Sequence, residues 1–145
     1  MRTPSLTKPA LLLLLAVCGC ARKGDPVPAP PVPPQAPRSS WVSLRQLEVT
    51  LPSQDVKGGT LRGLEAIRIL YLPMGLARPT AQDVFAHGEV VLERQRPGLP
   101  GPGESLELDL KNLKRPAGWI VVVAVRAGQA ASAPSPVLAW MDPAL

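Results

Sequence analysis

Short runs of strand-forming residues, separated by turn signals, constrain the fold of this chain more than any other feature of its sequence. Residues 119–125 are nearly all apolar and β-branched, which predicts a central strand buried on both faces. Leu106, Leu108 and Leu110 alternate with charged residues, which is typical of a half-buried strand. Such runs, at intervals of about ten to twenty residues, predict an all-β fold, a single small antiparallel β-sandwich. No pattern favours a long helix after residue 20.

The remaining predicted elements are shorter. Strands are expected at residues 41–44, 47–51, 66–72, 89–93 and 137–141. Thr80 is placed to cap a short helical turn through Ala86, and the stretches 52–59 and 96–103 have the prolines and glycines of loops. The side chains expected in the core are Leu51, Ile67, Ile69, Tyr71, Leu113, Trp119, Val121 and Val123. Trp119, Val121 and Val123 fall on the same side of their strand, together with Val125.

The N-terminus has the features of a secretory signal. Arg2 and Lys8 precede an apolar run, and no acidic residue occurs before Asp25. The 11 residues from 10 to 20 are too few for a membrane-spanning helix, which needs about 20. Residues 1–19 are therefore predicted to be a cleaved signal peptide. A transmembrane anchor and a soluble secreted protein cut near the same place are the alternatives.

The end of this run, Val17-Cys18-Gly19-Cys20, resembles the lipobox of bacterial lipoproteins. The resemblance implies that the Cys20 thiol is joined to diacylglycerol, that the chain is cut before it, and that the new amine is acylated. Ala21 stands where an aspartate would favour inner-membrane retention, which implies an outer-membrane lipoprotein that faces the periplasm. Inner-membrane location and lipidation at Cys18 are the alternatives.

Composition excludes several function classes. Without residues 1–19 the chain has 126 residues, enough for one small domain, and its net charge falls from +5 to +3. Scattered basic residues and few aromatics disfavour nucleic-acid binding. With Cys20 acylated and Cys18 removed, no thiol remains for a disulfide, a metal or a nucleophile. His87, the single histidine, has no recognisable nucleophile turn nearby and reads as a loop residue.

We therefore expect no catalytic residue, no metal and no cofactor beyond the acyl chains on Cys20. An envelope enzyme would need clustered carboxylates such as Glu104, Glu107 and Asp109. Glu107 and Asp109 lie two residues apart on one strand, as expected of a solvated polar face.

A proline-rich stretch connects the lipidated end to the predicted domain. Its prolines are Pro26, Pro28, Pro30, Pro31, Pro33, Pro34 and Pro37. Proline fixes φ and lacks an N–H, so residues 25–40 are predicted to form a polyproline rod that reaches about 50 Å. Residues 20–38 are accordingly the lipidated tail and spacer, and residues 39–143 the sandwich. A ligand for a proline-reading domain is the alternative.

The stretch from Leu113 to Trp119, followed by the strand 120–125, resembles the fibronectin type III pattern that leads into its sixth strand. The resemblance implies an immunoglobulin-like sandwich over about 100 residues. It departs from the family where Trp119 replaces the corner tyrosine, whose hydroxyl ties the corner to the backbone, and where Leu51 replaces the usual tryptophan. Some other small β-sandwich is the alternative.

The tail is similar to the start of a small lipoprotein family that includes a subunit of the lipopolysaccharide transport machine. The match comprises Cys20, Lys23, Gly24 and Pro26, and Asp25 departs from the family pattern. Lys23 beside a lipid anchor would also pair with phosphate headgroups without any protein partner.

The sequence thus supports a membrane-anchored, non-catalytic lipoprotein that acts as a binding or adaptor module through its sandwich, for an envelope protein of unknown identity. The alternative is an accessory subunit of outer-membrane lipopolysaccharide assembly that works through its lipidated tail.

Overall fold

A computed structural model describes residues 28–142 as two packed antiparallel β-sheets with one short helix. The elements in chain order are β1 (Arg38–Ser43), β2 (Gln46–Thr50), β3 (Leu64–Pro73), α1 (Ala81–His87), β4 (Glu89–Gln95), β5 (Ser105–Asp109), β6 (Gly118–Arg126), β7 (Ala130–Ala131) and β8 (Leu138–Trp140). The predicted all-β sandwich is confirmed. In the range 28–142, no helix has both the length and the apolar character needed to cross a membrane.

The two sheets have different sizes. The smaller has the order β1-β2-β5, and the larger has the order β4-β3-β6-β7, with β8 also paired to β6. β3 and β6 pair along nearly their whole length, from Leu64 opposite Arg126 to Pro73 opposite Gly118. β6 therefore has neighbours on both sides, as expected of the strand formed by the β-branched run.

The main core lies between the sheets, where each long strand presents an apolar face. Its buried members are Leu47, Val49, Leu51, Leu61, Leu64, Ile67, Ile69, Tyr71, Leu108, Leu110, Ile120, Val122, Ala124 and Trp140. The alternation within β3 gives this result directly, because Ile67, Ile69 and Tyr71 share one face. Leu113 is partly buried and packs against the same core.

A second apolar cluster covers the outer face of the larger sheet beneath α1. Its buried members are Leu70, Val84, Val121, Val123 and Val137, and Trp119 and Phe85 pack at its margin. The helix begins as predicted: the Thr80 hydroxyl accepts a hydrogen bond from the Asp83 N–H, and the Asp83 carboxylate accepts one from the Thr80 N–H. This seven-residue helix, about two turns long, thus covers the face of β6 that the other sheet does not reach.

The comparison of Trp119 with a corner tyrosine is wrong. Its side chain is partly buried in the second cluster, and its indole N–H is buried without a hydrogen-bond partner in the described chain. Two other side chains bond to the loop before β6. The Tyr71 hydroxyl donates to the Pro116 carbonyl at 3.1 Å, and the Trp140 indole N–H donates to the Arg115 carbonyl at 3.0 Å.

Residues 31–37 of the predicted spacer lie against the sandwich, and we call them the docked segment. The Gln35 N–H donates to the Gln54 carbonyl at 3.0 Å, and the Val56 N–H donates to the Pro33 carbonyl at 3.0 Å. The Arg126 guanidinium also donates to a carbonyl of this segment. A free rod over residues 25–40 is therefore wrong from Pro31 onward.

The physical reason is that proline lacks an N–H but keeps its carbonyl acceptor, so a proline-rich strand can still pair on one side. Pro34 and Pro37 are buried, and Pro34 forms an isolated antiparallel bridge with Asp55. β1 then begins at Arg38, directly after the docked segment.

Candidate binding surface

The surface that stands out on this sandwich lies along the outer edge of β1. β1 pairs with β2 on one side only, with a register shift between Trp41 and Ser43. The backbone groups on its other side have no backbone partner in the range 28–142. An unpaired strand edge is a template for the addition of another strand.

An apolar recess opens beside this edge, between the end of β1 and the end of β8. It encloses about 250 Å³ and is lined by Trp41, Ser43, Leu44, Ala139 and Met141. We call it the β1 recess. It lies where β1 of one sheet comes close to β8 of the other, beside the unpaired edge of β1.

Packing in the core fixes one wall of the β1 recess. The Trp41 ring lies 6.0 Å from that of Trp140, at an interplanar angle of 36°. Trp140 is buried and held by its hydrogen bond to the Arg115 carbonyl. The Trp41 ring therefore packs against a buried neighbour and also lines the recess, a position typical of an aromatic anchor.

Large apolar side chains around the recess are exposed. The exposed fractions are 52% for Val42, 75% for Leu44 and 64% for Met141. Isolated exposed apolar residues are ordinary, but adjoining ones mark interaction sites. An ion pair of 3.3 Å between Arg45 and Asp142 lies next to Leu44 and Met141 in the chain and adds a polar rim.

The edge strands β4 and β5 of the described chain are protected by charge. β4 carries Glu89, Glu93 and Arg94, and β5 carries Glu107 and Asp109, whereas β1 has one charge, at its first residue. Charges on an edge strand discourage pairing with another chain. Of these three edge strands, β1 is thus the one on which strand addition costs the least desolvation.

The edge that faces β1 across the sandwich is interrupted between two short strands, β7 and β8. Between β7 and β8, Pro134 and Pro136 have no N–H to offer. Ser132 and Ser135 are buried, and the hydroxyl of each accepts a hydrogen bond of 2.9 Å from a β6 amide. These hydroxyls complete the β6 ladder where the strand itself is interrupted.

The predicted site residues fall in three places. Cys20, Lys23, Gly24 and Pro26 lie outside the described residues. Leu51, Ile67, Ile69 and Tyr71 are in the main core, with Leu113 packed against it. Trp119, Val121 and Val123 belong to the cluster beneath α1.

Two of the three carboxylates considered for an enzyme are occupied by local partners. Glu104 accepts from the Gly101 N–H at 2.7 Å, and Asp109 pairs with Lys111 at 2.9 Å. The Lys111 side chain and N–H hold the pKa of Asp109 below its usual value. Among residues 28–142, no group of three or more His, Cys, Asp or Glu side chains could hold a metal ion.

The sequence predictions missed the β1 recess. The signal available was the apolar stretch at residues 41–44, which has two exposed residues where a strand with one buried face would have polar ones. Ala139 and Met141 complete the recess from almost 100 residues away, so spacing in the sequence does not reveal it.

No protein-family model matches this chain, and no curated protein matches it in sequence.

Proposed function

We propose that this chain is a lipid-anchored lipoprotein of the bacterial envelope whose β-sandwich is a non-catalytic binding module. The signal pattern ending at Cys20 supports the anchor. Two or three acyl chains hold such a protein firmly in the leaflet, since one chain alone binds only marginally. The outer membrane, with the domain in the periplasm, is the expected location.

The observation that carries the binding function is the β1 recess beside an unpaired strand edge. The partner we propose is an extended segment of an envelope protein with an apolar side chain. It adds alongside β1 through backbone hydrogen bonds and places that side chain in the recess, against Trp41. Backbone pairing supplies affinity, and the recess supplies specificity.

Site-specific photo-crosslinking in intact envelopes tests the surface. A photoreactive residue replaces Val42 on the β1 edge or, as the matched control, Val90 on the β4 edge, because their exposed fractions of 52% and 51% are nearly equal. A partner crosslinked from position 42 and absent from position 90 supports the proposal. Equal capture at both positions, or capture from position 90 alone, overturns it.

The anchor is tested separately. Cys20→Ala should abolish incorporation of a palmitate analogue and move the protein from the membrane fraction to the soluble periplasmic fraction. Cys18→Ala is the control, because the same pattern predicts no lipid there. Retention of the label in Cys20→Ala would exclude the proposed lipidation site.

The second candidate function is a role in outer-membrane lipopolysaccharide assembly through the tail. The sequence Cys20, Lys23, Gly24 and Pro26 favours it. Replacing both Lys23 and Gly24 by alanine while keeping Cys20 separates the two functions. Loss of crosslinked assembly proteins with an intact anchor supports the tail, and unchanged capture from position 42 supports the sandwich.

A further inference from the structure

The two ends of the sandwich differ in how they relate to the anchor. One end holds the docked segment together with the loops 51–63, 96–104 and 127–129, and we call it the basic end. The opposite end holds the β1–β2 turn, residues 74–88, the loop 110–117 and the β1 recess, and we call it the distal end. β3, ten residues long, spans the distance between them, roughly 30 Å.

The docked segment directs the chain toward Cys20 out of the basic end. The Arg126 guanidinium holds the Val32 carbonyl at 3.0 Å, and a Cβ at Gly128 would lie 3.1 Å from the Pro31 ring. From Pro31, eleven residues lead back to Cys20, which reach at most about 40 Å. An anchor at Cys20 therefore keeps the basic end within a short distance of the membrane.

Four exposed cations at the basic end form no ion pair within residues 28–142. Arg38, Lys57 and Arg62 are exposed, and their side chains form no ion pair or hydrogen bond with another residue of the range 28–142. Arg96 is exposed as well, and its Nε donates to the Leu64 carbonyl at 2.6 Å. These four cations remain available to a ligand outside the domain.

The described acids of the same end are Asp55, Glu65 and Glu104, of which Asp55 and Glu104 are engaged within their loops. The Asp55 carboxylate accepts from the N–H groups of Lys57 and Gly59 at 2.9 Å and lies 3.9 Å from the Arg126 guanidinium. Glu104 accepts from the Gly101 N–H. These acids keep their negative charge, but with Arg126 this end carries five cations against three described acids, so the field presented outward is positive and complementary to anionic lipid headgroups.

We propose that the basic end rests on the anionic surface of the membrane that holds the anchor, so that the β1 recess points away from it. This inference rests on the lipid anchor of the proposed function. Each cation near an anionic surface favours contact about fivefold. The orientation leaves the recess accessible to a partner in the aqueous space and not to the bilayer.

Fluorescence quenching on vesicles tests the orientation. The mature lipidated protein goes into vesicles of phosphatidylglycerol and phosphatidylcholine that carry a quencher on the headgroup. A fluorophore is attached through Thr60→Cys at the basic end or Leu76→Cys at the distal end, both exposed positions. We expect at least twofold stronger quenching at position 60, and equal quenching at both positions overturns the inference.

Charge reversal shows whether the cations are the cause. Lys57→Glu should lower the quenching at position 60, as should vesicles of phosphatidylcholine alone. The matched control is Lys114→Glu, an exposed lysine of the distal end, which should leave it unchanged. Quenching at position 60 that is indifferent to Lys57→Glu and to lipid charge overturns the electrostatic contact.

The same preparation separates failure of the anchor from failure of the orientation. In the lipidated chain no native thiol is free, so the wild-type protein should not react with the fluorophore. A wild-type chain that is labelled at Cys20 and does not float with vesicles overturns the lipoprotein, and this inference with it. A chain that floats but is quenched equally at both ends overturns the inference alone.

Discussion

Two edges face each other across this sandwich, and they differ in how their backbone groups are hydrogen-bonded. On the side of β7 and β8, prolines remove donors and the buried hydroxyls of Ser132 and Ser135 take up β6 amides. On the side of β1, the backbone is unpaired in the described chain and Val42 is exposed. One Ser39–Ser135 hydroxyl contact of 3.2 Å joins the two sides. The two edges belong to different sheets, and an edge strand with unpaired backbone groups and few charges is a template for the addition of another strand.

The two sides should differ most in how much stability is lost when their tryptophans are replaced. Trp140→Ala removes a buried side chain and its hydrogen bond to the Arg115 carbonyl, so it should lower the free energy of unfolding by about 3–5 kcal/mol. Trp41→Ala, on the open side, should cost less than about 2 kcal/mol because that ring is already partly exposed. Urea unfolding of the two variants measures both values. Equal losses would mean that the β1 side is as tightly packed as the β8 side.

The next largest loss of stability is expected from removing the Ser135 hydroxyl, which accepts a hydrogen bond from β6 on the β8 side. Ser135→Ala leaves the buried Val122 N–H without its acceptor, and should cost about 1–3 kcal/mol. Ser40→Ala, exposed on β1, should change the free energy of unfolding by less than about 0.5 kcal/mol. If urea unfolding shows that the two serine variants are equally stable, the hydroxyl does not close the ladder.

A pH-dependent effect should appear at the helix that packs beside Val137, ahead of β8. The Thr80 side chain and backbone N–H hold the pKa of Asp83 below its usual value. Since the folded-state pKa is the lower one, the stabilisation is complete above the unfolded pKa, near pH 4, and is lost as the pH falls through the folded pKa. Asp83→Asn should therefore reduce stability at pH 6 and leave it nearly unchanged at pH 2, measured by urea unfolding. An equal loss at both pH values would argue against the ionised cap.

The smallest effect on stability should accompany the largest effect on binding. Val42→Lys places a charge on the open edge and should change the free energy of unfolding by less than about 0.5 kcal/mol. It should nevertheless remove partner capture by a photoreactive residue at Leu44, because an added strand would have to desolvate the ammonium group. Val90→Lys on β4 is the matched control and should leave capture intact. Unchanged capture in Val42→Lys would show that β1 is not the binding edge.

Local sequence patterns predicted the structural features that depend on neighbouring residues in the chain. The alternation of Ile67, Ile69 and Tyr71 and the cap at Thr80 follow from residues a few positions apart, and the fold class followed from their sum. The apolar run of β6 did not indicate which of its faces meets the other sheet. Its main-core face is that of Ile120 and Val122, and its other face, which includes Trp119, lies beneath α1.

Features that depend on long-range packing could not be predicted from the sequence, for physical reasons. The proline content predicts fixed φ angles and missing N–H donors, but it does not predict which donor will bond to a carbonyl such as that of Pro33. The hydrogen bond from the Val56 N–H to the Pro33 carbonyl can therefore be recognised only once the fold brings these two residues together. The β1 recess likewise joins Leu44 to Met141, and only the packing of the two sheets reveals it.

The docked segment also determines how the domain responds to force. A pull between a lipid anchor and a partner on β1 reaches residues 31–37 before it reaches the sheets. There it meets a few separate contacts, among them the Val56–Pro33 and Gln35–Gln54 hydrogen bonds, which open one after another. Peeling the segment off would lengthen the tether by roughly 20 Å while the core between the sheets stays folded. With the proposed anchor and partner in place, the docked segment would thus lengthen the connection under tension and shorten it again when the tension is released.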